Sequence, residues 1–235
     1  MFAKSAAFYD ALYSWKNYKQ EAEALHALIR QHKRSAGNSL LDVACGSGAH
    51  AAELRAHYAV EGLDLDPGML AVARQHLRDL TFHHGDMADF DLGRQFDVVT
   101  CLFSSIGYVK TLPRLRQATA NMARHLLPGG VLVVEPWFAP DDYHAGFAHA
   151  LFVDQPELKI ARMNISEIED SVSVLNFHYL VATPHGVEHF TERHELGLFT
   201  QADHFAALEA AGLKATYEGQ GLTGRGLYLG LKPAG

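Results

Sequence analysis

The chain has 235 residues, 48% of them hydrophobic, which suits one α/β domain with a sizeable core and room for an insertion. A formal net charge of -7 without any long Lys/Arg run excludes an electrostatic nucleic-acid surface and favours a small-molecule acceptor. No apolar run reaches the ~18 residues of a membrane span, Lys4 interrupts the start, and two cysteines in apolar settings (Cys45, Cys101) read as buried thiols; a cytoplasmic protein with no membrane partner is expected.

In chain order, Phe8, Tyr9, Tyr13, Trp15 and Tyr18 form an aromatic cluster ahead of a helix from Asn17 to about Lys33, marked by Ala22, Leu25, Leu28 and Ile29. Strand 39–43, helix 48–57, strand 59–65, helix 68–79 and strand Thr81–His84 follow. Next come a near-continuous apolar strand, Phe96–Leu102, a helix at 112–125, a turn at Leu127-Pro128-Gly129-Gly130 and a strand at Val131–Pro136. Strand–helix alternation with short connections predicts a doubly wound parallel sheet. Beyond Trp137 the pattern becomes strand-like alternation at 159–167, 171–183 and 186–198, an antiparallel insertion, and a helix at 201–211 with strands near 215–219 and 226–232 returns to the sheet. The expected organisation is one domain: an N-terminal lid (1–36), a cofactor-binding core (37–136), a β cap insertion (about 137–199) and a return to the core (200–235), with the exposed cap making a homodimer an expectation. The fifteen histidines are dispersed, and His83-His84 has neither an H-E-x-x-H setting nor a Cys pair, so no metal is expected.

The chemistry concentrates at Leu40-Leu41-Asp42-Val43-Ala44-Cys45-Gly46-Ser47-Gly48, a strand running into a glycine turn and a helix N-terminus. With Ala51 the glycines satisfy G-x-G-x-x-A, a dinucleotide fingerprint. Asp42 opposes that reading, because a carboxylate facing the turn repels a pyrophosphate. S-adenosylmethionine carries an ammonium and a sulfonium and no phosphate, so an acidic turn suits it. Asp64, ending the second strand about 20 residues on, is placed as a ribose-hydroxyl acceptor for either cofactor. The competing readings are a nicotinamide-dependent oxidoreductase, disfavoured by Asp42, and a non-catalytic S-adenosylmethionine-binding protein, disfavoured by an aromatic cap whose Tyr9, Tyr13, Trp137 and His178 suit an acceptor.

D-x-A-C-G-x-G, the acidic end of the second strand, Gly85-Asp86-Met87 after the third and L-x-P-G-G before the fifth resemble a class I S-adenosylmethionine-dependent methyltransferase, with a Rossmann-like sheet and a C-terminal antiparallel hairpin. Phe103-Ser104-Ser105-Ile106-Gly107-Tyr108, Val134-Glu135-Pro136-Trp137, His178-Tyr179-Leu180-Val181, Leu198-Phe199-Thr200 and Gly224-Arg225-Gly226-Leu227 resemble, more narrowly, the N,N-dimethyltransferases of nucleotide-linked 3-amino deoxysugars of the desosamine and mycaminose type. The resemblance implies that Ala44 and Gly46 contact the methionyl part of S-adenosylmethionine, Asp64 its ribose, Asp86 and Met87 the adenine, and Leu102 the region of the sulfur. It further implies that Tyr9 and Lys16 close over the cofactor and that Arg225 holds the nucleotide diphosphate, a task a guanidinium between glycines performs by bidentate pairing. The family has glutamate where this chain has Asp64, and residues 145–170 carry no likeness.

In-line methyl transfer from a sulfonium disperses charge, so alignment matters more than acid or base strength. An amine acceptor must arrive as its free base. Tyr108, His178 and Tyr13 are the residues expected around that amine, with His194 a further candidate; Glu135 either accepts from the acceptor or binds backbone in the turn, and the turn is favoured. N- or O-methylation of another small metabolite is the alternative.

Overall fold

A computed structural model of the chain describes residues 4–234; the first three residues of the expected lid lie outside the described residues. Two short helical turns, Ser5–Phe8 and α1 (Tyr9–Leu12), lead into α2 (Tyr18–His32). Asn17 caps α2 by accepting from the Gln20 N–H at 3.0 Å, and Ala22, Leu25 and Ile29 form its buried face. The core then alternates β1 (Ser39–Val43), α3 (Ala49–Leu54), β2 (Ala59–Asp64), α4 (Pro67–His76), β3 (Thr81–His84), β4 (Phe96–Cys101), α5 (Leu112–Arg124) and β5 (Leu126–Val134). Asp66 caps α4 ahead of Pro67, and Thr111 caps α5 ahead of Leu112-Pro113, so both helices start where fixed φ and a side-chain acceptor coincide. Every residue of β4 is buried, as its near-continuous apolar run required, and the two polar ones are satisfied there: Asp97 accepts from Gly37 and Ser39, and the Thr100 hydroxyl donates to Asp42.

Four strands form the second unit: β6 (Ala148–Gln155), β7 (Leu158–Glu169), β8 (Val172–Thr183) and β9 (Gly186–Gly197), antiparallel in the order β6-β7-β8-β9. After them, α6 (Gln201–Ala210), opened by a Thr200/Asp203 capping box, precedes β10 (Lys214–Glu218) and β11 (Leu227–Leu231). The main sheet has seven strands in the order β10-β11-β5-β4-β1-β2-β3, parallel except for β11, which runs antiparallel to both β10 and β5. This is the expected Rossmann-like sheet with its C-terminal hairpin and β cap. Cys45 and Cys101 are buried and unpaired by disulfide, as their apolar settings indicated. Among the described residues no helix is long and apolar enough to cross a membrane.

Three local departures from expectation have physical causes. The helix expected over 48–57 ends at Leu54, whose carbonyl accepts from both His57 and Tyr58 N–H groups at 3.0 Å and so closes the helix in a tight turn before β2. Pro128-Gly129-Gly130 is carried inside β5, not ahead of it. The register with β4 slips there, and the Gly129 carbonyl accepts from Arg34 and Ser35 N–H groups at 2.7 and 2.9 Å. Strand β6 was not foreseen because it is an edge strand with only Val153 buried, so no alternation of apolar and polar residues marks it.

The N-terminal turns join the cap to the core. Leu12 packs into an apolar cluster with Val153, Ile160, Tyr179, Val181 and Phe190 of the cap. Glu192 of β9 accepts from the N–H groups of Lys4 and Ser5, both at 3.0 Å, and from the Ser5 hydroxyl at 2.5 Å. A cavity of about 600 Å³ is enclosed between these turns, the ends of β1 and β2, the segment after β4, and the inner face of the cap.

Candidate active site

The cofactor side of the cavity is built by the turn after β1. Ala44 and Gly46 both have φ of 58°, so the chain doubles back in the left-handed region, a conformation an Ala adopts at a cost of about 1 kcal/mol. A Cβ on Gly46 would lie 3.1 Å from Met69 Cε, so a side chain there would crowd the cradle. The Gly46 N–H donates to Asp64 Oδ2 and the Asp66 N–H to Asp64 Oδ1, both at 2.8 Å. Each carboxylate oxygen keeps a lone pair for a hydroxyl donor in the cavity. Burial raises the Asp64 pKa above the usual carboxylate range, and the two N–H donors only partly offset it. Farther along the wall stand Gly85, Asp86 and Met87; Asp86 accepts from the Ala88 N–H at 2.9 Å and from the Arg114 guanidinium.

Tyr9, Tyr13 and Lys16 reach the same cavity from the N-terminal segment. Lys16 is buried, donates to Glu21 Oε1 at 2.7 Å, and has its ammonium 4.1 Å from the centroid of Phe103. The other Glu21 oxygen lies 2.8 Å from His50 Nε2. Although burial acts to raise it, the Glu21 pKa is held low by His50 and Lys16, so this wall carries a carboxylate that sequence reasoning missed.

Three expected cofactor residues lie behind the wall. Asp42 is paired in register with Thr100 of β4, whose hydroxyl donates to Asp42 Oδ1 at 2.8 Å, and the carboxyl stays under the turn. Burial pushes its pKa up to about 6, against the lowering effects of His50 and the Thr100 hydrogen bond. Gly48 turns toward the sheet flank, where a Cβ would meet Leu77 Cδ1 at 2.8 Å. Leu102 is buried in the apolar core with Leu40 and Val98.

On the acceptor side, the Tyr108 hydroxyl lies 2.7 Å from His194 Nδ1, and His194 Nε2 lies 3.6 Å from Glu192 Oε2. Burial lifts the Tyr108 pKa well above its ordinary value, so the phenol stays protonated. Burial acts to raise Glu192, but hydrogen bonds from His194, Ser5 and Lys4 bring it down to about 2, which makes it a fixed anion behind the histidine. The Tyr13 hydroxyl accepts from Arg162 Nη1 at 3.1 Å, and the Tyr13 ring meets Phe103 edge-on with centroids 5.1 Å apart. His178 is a correction to the expected set. Its neighbours Phe177 and Tyr179 face the cavity, so the alternation of β8 turns His178 to the outer surface, where it stacks on His189. The histidine that reaches the cavity is His194.

Trp137 and Arg225 occupy the far end. The guanidinium of Arg225 lies 5.6 Å from the Trp137 ring centroid and 3.8 Å from Glu135 Oε1, while its buried Nε has no hydrogen-bond partner among the described residues. Glu135 is fully buried and accepts from the Phe103 N–H at 2.7 Å and the Thr223 hydroxyl at 2.6 Å. It therefore binds the neighbouring turn after β4 and the loop that carries Arg225, not its own turn, and it fixes Phe103, which with Ser104 has a positive φ, 50° and 62°. Arg162 lines the cavity from β7, inside the stretch where the sequence carried no likeness.

The chain is similar in sequence to a methyltransferase-domain family over residues 40–130. It is 43% identical over 230 residues to the dTDP-4-amino-2,3,4,6-tetradeoxy-D-glucose N,N-dimethyltransferase of Saccharopolyspora spinosa, covering 97% of this chain and 92% of that protein. It is also 43% identical over 233 residues to the dTDP-3-amino-3,6-dideoxy-alpha-D-glucopyranose N,N-dimethyltransferase of Streptomyces fradiae, covering 97% and 91%. Among solved structures it matches DesVI of Streptomyces venezuelae with a TM-score of 0.92 at 42% identity, over 99% of both chains. It matches S-adenosylmethionine-bound CalS10, an amino pentose methyltransferase of Micromonospora echinaspora, with a TM-score of 0.86 at 37% identity, over 99% and 98%. The chain therefore belongs to the family of amino-deoxysugar N-methyltransferases, which are S-adenosylmethionine-dependent enzymes.

Proposed function

We propose that the protein N-methylates the amino group of a nucleotide-linked amino deoxysugar. The observation that carries this reading is Arg225, a largely buried guanidinium at the far end of the chamber, with its buried Nε unused and only a 3.8 Å approach to Glu135. A buried cation in that state is costly unless an anion completes its shell, and a diphosphate does so by bidentate pairing. Arg162 brings a further cation to the same chamber, where Lys16 is paired with Glu21 and Arg114 with Asp86.

Bound S-adenosylmethionine supplies an electrophilic methyl group on a sulfonium. Asp64 and Asp86 accept hydrogen bonds from the adenosyl portion, Gly46 and Ala44 give the methionyl portion its close approach, and Tyr9 and Lys16 close the site from above. Tyr108 and Tyr13 orient the acceptor amine, and dry aromatic walls hold it on the line of attack; such alignment supplies on the order of 7–11 kcal/mol of barrier lowering in the best intramolecular models. His194, backed by the Glu192 anion, is the base suited to take the ammonium proton by way of Tyr108 or water. His178 has no part in this.

The test is incubation with S-adenosylmethionine and dTDP-linked 3-amino or 4-amino dideoxyglucose, read by mass spectrometry for one and two added methyl groups. Products from neither sugar, with S-adenosylmethionine bound, would send the assignment to another small-metabolite amine or hydroxyl.

The outer cap face exposes Phe152, Met163, Ile165, Leu180 and Val187, and a second copy of the chain is the occupant we propose for it. Light scattering should then give a dimer mass for the parent and a monomer mass for Leu180→Glu.

A further inference from the structure

Strand β9 sends Glu192 and His194, two residues apart, to the acceptor side, while Arg193 between them lies on the outer face and pairs with Glu169 and Glu195. The turn that carries Tyr108 is pressed against this strand. A Cβ on Gly107 would sit 3.0 Å from Leu196 Cβ, and Lys110 pairs with Glu195, so the contact is braced on both sides of Tyr108. His194 is 2% exposed and is held between the Tyr108 hydroxyl, 2.7 Å from Nδ1, and the Phe177 ring, whose centroid is 5.2 Å away.

The two oxygens of Glu192 have different tasks. Oε1 accepts from the N–H groups of Lys4 and Ser5, both at 3.0 Å, whereas Oε2 accepts from the Ser5 hydroxyl at 2.5 Å and faces His194 Nε2 at 3.6 Å. Two backbone donors on one oxygen fix the carboxylate plane, so the N-terminal turns aim Oε2 at the histidine. A neutral imidazole has one N–H and one bare nitrogen, and an anion facing one nitrogen draws the proton to it.

We propose that Glu192 is a positioning residue that sets the tautomer of His194 and, through it, the orientation of the Tyr108 hydroxyl toward the acceptor amine. The proposal rests on the reading above that the amine meets Tyr108. With the proton on Nε2, Nδ1 is an acceptor and the Tyr108 O–H turns onto it, so the phenol presents its oxygen lone pairs to the amine. An amine N–H that donates to that oxygen leaves the nitrogen lone pair free for the methyl group. In the opposite tautomer Nδ1–H donates to the phenol oxygen, and the O–H turns toward the amine and occupies the lone pair that must attack.

Glu192→Gln separates these states. The Lys4 and Ser5 N–H groups still claim the carboxamide oxygen, so its NH2 faces Nε2 and the preferred tautomer reverses. Side-chain nitrogen NMR of the full chain with S-adenosylhomocysteine, at about pH 8.5 and so above the usual histidine range, reads the tautomer. His194 is identified by the signal that His194→Asn removes. The parent should carry its proton on Nε2 and Glu192→Gln on Nδ1; a parent proton on Nδ1, or one tautomer in both proteins, would overturn the proposal. The parent spectrum alone suffices to overturn it. Methyl transfer to dTDP-linked 3-amino dideoxyglucose gives a second readout. Tyr108→Phe should lower kcat about tenfold in the parent and roughly threefold or less once Glu192→Gln is present, because the phenol is then already misdirected. Equal effects in the two backgrounds would mean that Glu192 only latches the N-terminal turns. A parent that methylates neither the 3-amino nor the 4-amino sugar would overturn the nucleotide-linked reading, and the tautomer spectra would still decide the role of Glu192.

Discussion

Asp42 allows a sharp test of how burial sets protonation in this fold. Its carboxyl is held at a pKa of about 6, chiefly by burial, against a usual value of about 3.9. The protonated form is therefore the one the folded state prefers. Its stabilising contribution is complete below about pH 4 and is lost as the pH rises through 6. A difference of about two pKa units corresponds to about 3 kcal/mol between pH 4 and pH 8. Asp42→Asn stays neutral throughout and keeps an oxygen that accepts from Thr100. Any fixed cost of the new amide is the same at every pH and cancels in the comparison. Urea unfolding without cofactor, at intervals from pH 4 to 8, should show the stability of the variant rising relative to the parent by about 3 kcal/mol across that range. In thermal unfolding this is a relative gain of about 6–12 °C for a chain of this size. A difference that does not change with pH would refute the argument that Asp42 is strained by its charge.

Asp64→Ala should weaken S-adenosylmethionine binding by about 1–3 kcal/mol, the cost of stranding hydroxyl donors, and calorimetry that finds the parent affinity would remove Asp64 from the site. Arg225→Ala should raise the acceptor KM with little change in cofactor affinity; parent-like kinetics on a dTDP-linked sugar would count against a diphosphate at that position. Glu192 has a folded pKa of about 2, below its usual range, so its contribution is present above about pH 4.3 and fades as the pH falls toward 2. Glu192→Gln should accordingly loosen the N-terminal turns at neutral pH, seen as faster hydrogen exchange at the Ser5 amide, and unchanged exchange would mean the carboxylate does not hold them.

The cofactor half of the molecule was legible because its constraints are local. A strand, a glycine turn and an acidic strand end announce themselves in residue types at fixed spacing, and Gly46, Asp64, Asp86 and Met87 are found in one wall. The acceptor half is assembled from residues far apart in sequence. Tyr108 and His194 meet across 86 positions, and Ser5 meets Glu192 across 187. No pattern in the chain encodes those pairings; the register of β9 and the crossing of the N-terminal turns do. His178 shows the limit most clearly, since a strand presents alternate residues to opposite faces and a phase error of one residue exchanges cavity for solvent. Asp42 shows another: an acidic residue in the right turn was read as facing the ligand, whereas the in-register Thr100 draws its carboxyl beneath the turn.

Because Leu12 is embedded in the apolar cluster of the cap, the N-terminal turns and the cap share one interior. Peeling those turns away would return Leu12 to water at about 2 kcal/mol and would also break the hydrogen bonds of Lys4 and Ser5 to Glu192, so two kinds of contact hold the seam together. Any opening of the cavity along this seam must therefore pull apart a shared apolar interior and a buried carboxylate together.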